Sequence, residues 1–269
     1  MKLFILSSAE LDSFQIRVLR WLFCEPGIEI VGACVDSRPE RSKLNKVWRD
    51  LRKGRGGYVL VKGVNTLLRR TRRPIASALD YFSAQRVPVL ETEGLYDRET
   101  LDFIRRQEPD CIYRSGFGII REPVLSLARK GVLSYHHGDL RSYRGTPVGF
   151  WELYHGERRL GVTVQMLVEK LDAGRIVSEM DVPISPSASW RSLERLAYAV
   201  SDRMLLEACL RLDGDEFELE HVPDEKLGKL YTEPNLRQWC TLQAKVAVRR
   251  LRTFAHPWSP TRSLPGRRC

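Results

Sequence analysis

The residues best suited to chemistry lie between Gly131 and Gly145. A short apolar start at Val132 and Leu133 is followed by polar and charged side chains, namely Ser134, His136, His137, Asp139, Arg141 and Arg144. Side chains alternate between the faces of a strand, so Ser134 and His136 share one face while His137 lies on the other. Because open α/β sheets bind ligands at the carboxyl ends of their strands, this cluster predicts a functional site. The alternative, in which His136 caps a loop and His137 is solvated, suits a lone histidine better.

Hydrophobic periodicity predicts the elements that must position this segment. The chain opens with a strand at 2–7, an amphipathic helix at 11–23 and a strand at 28–35. Such a β–α–β unit begins a doubly wound, mostly parallel sheet. Further strands are predicted at 87–90, 110–115, 161–168 and 175–184, and further helices at 75–84, 97–107, 123–131, 147–154 and 189–212. Pro183 marks the strand at 175–184 as an edge strand.

The length of 269 residues is compatible with one large domain and an appendage. We predict an α/β domain at 1–212 that contains a basic insertion of two helices at about 41–73. A short α+β extension with short strands follows at 213–269, and its tail, rich in Pro, Ser and Arg, is expected to be mobile from about residue 256.

Several classes of protein are disfavoured by the composition. The chain has no apolar run of membrane-spanning length, and the apolar start is too short for a signal peptide. Its six cysteines are scattered without a Cys-x-x-Cys pair, which predicts neither a zinc site nor a disulfide framework and favours a cytoplasmic location. No metal is expected. A Gly-x-Gly-x-x-Gly dinucleotide motif is absent after the first strand.

The net charge of +10 is concentrated in one segment, 41–73, which holds twelve Lys and Arg residues against the single acid Asp50. A basic patch of this kind attracts an anionic partner such as nucleic acid, a nucleotide or a membrane surface. The same pattern also fits a solvated helical face, and both interpretations stay open.

Four short motifs carry a resemblance to a known family. They are Gly116-Phe117-Gly118-Ile119-Ile120, Ser134-Tyr135-His136, Tyr143-Arg144-Gly145 and Leu171-Asp172-Ala173-Gly174. In order and spacing they resemble the formyltransferase superfamily that uses 10-formyltetrahydrofolate, which includes methionyl-tRNA, glycinamide-ribonucleotide and amino-sugar formyltransferases and formyltetrahydrofolate deformylase. The resemblance covers roughly residues 1–212 and implies a Rossmann-like fold.

The resemblance also implies an activity. It indicates transfer of a formyl group from 10-formyltetrahydrofolate, as co-substrate, to a primary amine of a small metabolite. The reaction passes through a tetrahedral oxyanion, which His136 would stabilise while Asp172 relays protons to the departing folate nitrogen. The implied folate-binding residues are Gly116, Phe117, Ile119, Ile120, Glu169 and Lys170. The implied acceptor-binding residues are His137, Asp139, Arg141, Arg144 and Gly145.

The acceptor is expected to be small, because methionyl-tRNA formyltransferases usually carry a further C-terminal β-barrel domain. Only about 57 residues follow Leu212 here, so tRNA is not the expected substrate.

One residue departs from the family pattern. Ser134 stands where the family has a catalytic Asn, and a hydroxyl is shorter than an amide and offers different donors. Three alternatives follow: Ser134 acts through water or a modest rearrangement, His137 or Asp139 supplies the missing function, or transfer is impaired. The alternative functions are therefore a deformylase-like hydrolase and a catalytically weakened folate-binding or regulatory protein. An acyl-enzyme triad built on Ser134 is disfavoured, because no nucleophile-elbow motif is present.

Overall fold

The computed structural model describes residues 1–39, 52, 63, 74–214 and 219–255. Within these ranges the strands are β1 (Lys2–Ser8), β2 (Glu10–Asp12), β3 (Glu29–Asp36), β4 (Pro74–Ser77), β5 (Val89–Thr92), β6 (Cys111–Arg114), β7 (Val132–His136), β8 (Tyr143–Gly145), β9 (Arg159–Met166), β10 (Arg175–Pro183) and β11 (Lys229–Tyr231). The helices are α1 (Ser13–Phe23), α2 (Ala78–Ala84), α3 (Arg98–Arg106), α4 (Phe150–His155), α5 (Trp190–Val200), α6 (Met204–Asp213) and α7 (Leu236–Ala255), with 3₁₀ turns at Val124–Ser126 and Asp224–Lys226.

A seven-stranded sheet organises the fold, in the order β10-β9-β7-β6-β1-β3-β5. Strands β7, β6, β1, β3 and β5 run parallel, whereas β9 is antiparallel to both β7 and β10. The mostly parallel α/β sheet is therefore confirmed. From β1 the chain moves to β3 on one side and later to β6 on the other, so the strand order reverses there. Ligands bind at such a switch point, beyond the carboxyl ends of the strands.

Helix α1 shows how local sequence begins an element. The Asp12 side chain accepts hydrogen bonds from the backbone N–H groups of Phe14 and Gln15, and the Gln15 side chain in turn accepts from the Asp12 backbone N–H. This capping box satisfies donors that the first helical turn leaves unpaired. Buried Val18 and Leu22 then hold the helix against the sheet.

Each face of the sheet has its own hydrophobic core. One face is covered by α1, α5 and α6, with residues such as Leu133 and Leu205 in the core. The other face holds Phe4, Ile112 and Val132, together with Ile104 of α3. Side chains two residues apart on a strand share a face. Because Val132 of β7 and Ile112 of β6 lie in this second core, Ser134, His136 and Arg114 point to the same face.

One predicted helix, 189–212, is wrong as a single element. The structure has two helices, α5 and α6, separated at residues 201–203. The Tyr135 hydroxyl donates to the Ser201 carbonyl at 2.7 Å and accepts from the Leu205 N–H at 3.0 Å. A side chain from the sheet thus satisfies a polar group at the end of one helix and at the start of the next, which helical periodicity alone does not reveal.

Two other predicted helices also differ from the structure. The stretch 123–131 contains only a 3₁₀ turn, because Arg129 N–H and Lys130 N–H donate to the carbonyls of Pro109 and Asp110 instead of to a preceding helical turn. The stretch 75–84 begins as β4, which pairs with β2, and becomes helical only at Ala78. The helices predicted within 41–73 and the mobile tail predicted from residue 256 lie outside the described residues, apart from positions 52 and 63.

The C-terminal segment packs on the α/β domain within the described range. Strand β11 pairs in parallel with β8. Leu242 and Val246 of α7 are buried in the same core as Leu133. Lys245 donates to the Tyr154 carbonyl at 2.6 Å and lies over the Tyr154 ring. Pro183 lies in β10, which is the edge strand that the sequence predicts.

We expect Glu152 to make the stability depend on pH. Its side chain in α4 is 3% exposed, and burial, aided by the charges of Glu157 and Asp139, raises its pKa from 4.5 to about 7. The native state therefore holds the proton more tightly than the unfolded state, and the free energy of unfolding falls as pH rises from 4.5 to about 7. This contribution is on the order of 3 kcal/mol.

Urea unfolding of Glu152→Gln and wild type across this range measures the effect. The difference in the free energy of unfolding should grow in favour of Glu152→Gln as pH rises. Glu99→Gln, at an exposed position of α3, is the matched control and should follow wild type. A pH-independent difference would contradict the assignment.

Candidate functional site

The site is built around His136 at the carboxyl end of β7. The imidazole is 7% exposed, and its Nδ1 lies 3.6 Å from Oδ1 of Asp172. Its Nε2 lies 2.9 Å from the Tyr143 carbonyl oxygen. A carbonyl oxygen only accepts, so Nε2 carries the hydrogen in this contact. Nδ1 consequently faces a carboxylate oxygen, at a separation just beyond that of a direct hydrogen bond.

Asp172 is held by its own backbone as well as by its neighbours. Its φ of +46° lies in the left-handed region, which Asp tolerates better than most residues. Its Oδ2 accepts a hydrogen bond from the Gly145 N–H at 3.0 Å. The carboxylate therefore bridges the imidazole and the β8 backbone, and the two motifs that contain His136 and Gly145 meet through it.

Arg144 and Gly145 fix the loop that carries Asp172. The Arg144 guanidinium donates to the carbonyls of Leu171, Asp172 and Gly228, the second at 2.7 Å. Gly145 has a φ of +90°, and an added Cβ would lie 2.0 Å from the Tyr231 carbonyl oxygen. Only glycine fits there, because β8 must approach β11 closely. Both residues thus contact the loop that carries Asp172, while their proposed contacts with an acceptor remain a prediction.

Ser134 contacts a residue that the sequence interpretation did not single out. Its side chain is 2% exposed, and its Oγ accepts a hydrogen bond from Nη1 of Arg114 at 3.3 Å. Nε of Arg114 donates to the Gly116 carbonyl at 3.1 Å. Burial lowers the pKa of Arg114, while the charge of Asp172 acts in the opposite direction. An arginine therefore lies beside the position at which the family pattern has an amide.

A signal for Arg114 was present in the sequence. Arginine ends an otherwise apolar strand, Cys111–Arg114, immediately before a glycine-rich loop. A charged residue at the carboxyl end of a buried strand lies at the edge of the sheet where ligands bind, as His136 does at the end of β7.

Two loops flank the site on the same face of the sheet. In the first, Phe117 has a φ of +64° and a buried ring, Ile120 is buried, and Ile119 is 55% exposed. Gly116 passes so close to β1 that an added Cβ would lie 2.3 Å from the Ser8 nitrogen. The second loop follows β9, and its Leu167 packs against the same hydrophobic core that contains Phe117.

The second loop presents apolar and charged side chains to solvent. Val168 and Leu171 are exposed, as are Glu169 and Lys170, and Lys170 forms an ion pair with Asp224 at 2.8 Å. Exposed apolar groups beside Asp172 suit a flat aromatic ring. The assignment of these residues to folate remains a prediction.

Three predicted acceptor-binding residues lie away from the His136–Asp172 pair. The His137 ring stacks on Tyr135 and contacts Tyr198 on the opposite face of the sheet. Asp139 caps the following turn by accepting from the Arg141 N–H at 2.9 Å. Arg141 also pairs with Glu179 and Glu220, which raise the pKa of Arg141. Its charge is satisfied within the fold, and its role as an acceptor ligand remains a prediction.

Two absences concern only the part of the chain that the structure describes. There, no three His, Cys, Asp or Glu side chains come together in a way that could hold a metal ion. No helix within those ranges has both the length and the apolar character needed to cross a membrane.

Known proteins match a large part of the chain. The family model for formyl transferase matches residues 47–209, which is more than half of the chain. Methionyl-tRNA formyltransferase from Thermotoga maritima is 35% identical over 135 residues, covering 50% of this chain and 43% of that protein. The Thermotoga neapolitana enzyme is 28% identical over 207 residues, covering 77% and 58%. The chain therefore matches about half of the length of these relatives.

Solved structures share the fold at low sequence identity. Phosphoribosylglycinamide formyltransferase from Anaplasma phagocytophilum has a TM-score of 0.58 at 14% identity, covering 86% of this chain and 98% of that one. The N-formyltransferase from Helicobacter canadensis, in complex with folinic acid and dTDP-3-aminofucose, has a TM-score of 0.55 at 12% identity, covering 86% and 71%. The extent of the family match, supported by this shared fold, establishes that the chain belongs to the formyl transferase family.

Proposed function

We propose that this protein transfers a formyl group from 10-formyltetrahydrofolate to a primary amine of a small metabolite. The observation that carries the proposal is the pair of buried His136 and half-buried Asp172, with Nδ1 and Oδ1 3.6 Å apart at the carboxyl end of β7. A paired imidazole and carboxylate at a ligand-binding edge of the sheet can move protons and stabilise charge. Membership of the formyl transferase family supports the same reaction.

The loops on either side of the pair fit a folate. Exposed Ile119, Val168 and Leu171 offer apolar surface, and the backbone turns sharply through left-handed Phe117 and Gly118. The formyl group on the folate would then lie beside His136. Asp172, oriented by the Gly145 N–H, would take the proton that the attacking amine loses and return it to the departing folate nitrogen.

A small amine is supported by one structural neighbour. The Helicobacter canadensis enzyme binds dTDP-3-aminofucose, a small amino sugar linked to a nucleotide. Relatives named methionyl-tRNA formyltransferase make tRNA the competing acceptor. The basic segment 41–73 would suit an anionic partner, whether a nucleotide-linked amine or RNA.

The test is incubation with 10-formyltetrahydrofolate and three sets of acceptors: small primary amines including nucleotide-linked amino sugars, charged initiator tRNA, and water alone. Tetrahydrofolate formation that depends on a small amine supports the proposal. Turnover only with charged initiator tRNA would mean that tRNA, and not a small amine, is the acceptor. Formate release without any amine would indicate a hydrolase. No turnover together with no folate binding would refute the proposal.

A further inference from the structure

We infer that Arg114 donates the hydrogen bond to the formyl oxygen as the tetrahedral oxyanion forms, taking over the task that an amide at position 134 would perform. This inference rests on the proposed formyl transfer and adds a catalytic residue to it. It is carried by the placement, burial and unfilled hydrogen-bonding capacity of one guanidinium.

The placement comes from the alternation of β6 and β7. Arg114, Ser134 and His136 lie on the same face and at the same carboxyl edge. The Nη1 of Arg114 is 3.3 Å from Ser134 Oγ. Arg114 and Ser134 also line a cleft of about 180 Å³, together with Gln15, Ser115 and His137 among others. The rest of this cleft is lined mainly by residues of the opposite face, so the guanidinium and Ser134 lie at the carboxyl edge of the sheet, between this cleft and the face that carries His136.

The hydrogen-bond inventory of Arg114 leaves donors for a ligand. Its described bonds use Nε, to the Gly116 carbonyl, and Nη1, to Ser134. A guanidinium has five N–H groups, so these two bonds leave further donors without a described protein acceptor. No described carboxylate forms an ion pair with it, although the charge of Asp172 is close enough to act on it. A half-buried cation without an ion-pair partner is costly, and an anionic oxygen that accepts from its remaining N–H groups beside Ser134 would offset that cost.

His136 is not free to act as this direct donor. Its Nε2 hydrogen is already directed to the Tyr143 carbonyl, and its Nδ1 faces Asp172. Ser134 cannot replace an amide by itself, since its hydroxyl is 2% exposed and has the carbonyls of Arg114 and Tyr135 within 3.5 Å. Arg114 is the charged donor that the described residues place beside the missing amide.

The chemical step places negative charge where Arg114 can meet it. The acceptor nitrogen forms a bond to the formyl carbon, and the carbonyl π electrons move to oxygen as an oxyanion. When that oxyanion collapses to a carbonyl, the bond to the folate nitrogen breaks, and its electron pair receives the proton released by the acceptor nitrogen. The charge on oxygen exists only between these events, so a donor aimed at it stabilises the transition state more than the substrate.

The test uses four variants assayed with 10-formyltetrahydrofolate and the acceptor that supports turnover. Arg114→Met should lower kcat roughly 100-fold or more, as loss of one oxyanion donor does elsewhere, with little change in the binding of tetrahydrofolate. Arg114→Lys should retain intermediate activity, because it keeps the charge without the planar fork. Arg106→Met, at an exposed position on α3, removes the same charge and should match wild type.

The decisive variant is Arg114→Met with Ser134→Asn. The double variant should have a kcat at least about tenfold higher than that of Arg114→Met, because the amide at position 134 gives the oxyanion a donor again. If Arg114→Met keeps kcat within about threefold of Arg106→Met, the inference is wrong. It is equally wrong if Arg114→Met loses tetrahydrofolate binding and thermal stability and Ser134→Asn restores nothing, since Arg114 would then be structural.

The two proposals fail in different ways. An inactive wild type with no folate binding refutes formyl transfer itself, and the role of Arg114 falls with it. An active wild type with an equally active Arg114→Met refutes only the role of Arg114.

Discussion

Replacing Asp172 with Asn is expected to lower kcat by about 100- to 10,000-fold, the range over which a positioned acid–base group accelerates a reaction. The amide cannot take a proton from the acceptor nitrogen. It also changes the partner of His136: if its oxygen keeps the hydrogen bond from the Gly145 N–H, its NH₂ group faces Nδ1.

The fold should tolerate this change, because Asn also accepts the left-handed backbone that Asp172 adopts at φ +46°. The measurement is kcat with saturating co-substrate, alongside the dissociation constant of tetrahydrofolate, which should change little. Asp102→Asn on α3 serves as the matched control, since this carboxylate pairs only with Arg98 and Arg105 among the described residues. A kcat for Asp172→Asn equal to that of the control would remove Asp172 from the chemistry.

Replacing His136 with Gln is expected to lower kcat by about 100- to 1,000-fold, within the range over which a positioned acid–base group accelerates a reaction. Gln can still donate to the Tyr143 carbonyl, so the local structure keeps its hydrogen bond. It cannot carry a positive charge, and it cannot exchange a proton with Asp172. The ring is also closely packed, since a Cβ on Gly138 would lie 2.6 Å from Nε2.

A double variant separates a working pair from two independent groups. If His136 and Asp172 act as a unit, His136→Gln with Asp172→Asn should cost hardly more than the worse single variant. Fully additive losses would show that each residue acts alone. His221→Gln, at an exposed histidine, controls for the loss of an imidazole and should leave kcat unchanged.

The elements most readily predicted from the sequence are those whose stability is local. The apolar stripe of α1 is read directly from the predicted helix at 11–23, and β1 and β3 appear as apolar runs. Proline at position 183 identifies β10 as an edge strand because proline has no N–H to donate to a neighbour. Burial of an element on one or both faces fixes the spacing of its apolar residues, and this spacing can be recognised in the sequence alone.

Elements that depend on distant partners were not predictable in this way. The periodicity of 189–212 continues through a break that exists only because Tyr135, from the sheet, bonds with Ser201 and Leu205. The stretch 123–131 is not an α-helix because the N–H groups of Arg129 and Lys130 are taken by β6-side carbonyls. In both places a tertiary hydrogen bond competes with a helical one, and the local pattern does not contain the competitor.

The same distinction between local pattern and tertiary contact applies to the candidate site. The sequence by itself determined that His136 and Ser134 share a face at the end of a strand, since alternation is a property of the extended backbone. It also singled out Asp172 and the Tyr143-Arg144-Gly145 motif. Only the tertiary structure decided that Nδ1 faces Asp172, that Arg144 fixes its loop, that Arg141 is held by Glu179 and Glu220, and that Arg114 lies beside Ser134. Chemistry between residues of different strands depends on strand order and loop course, which arise from packing across the whole sheet.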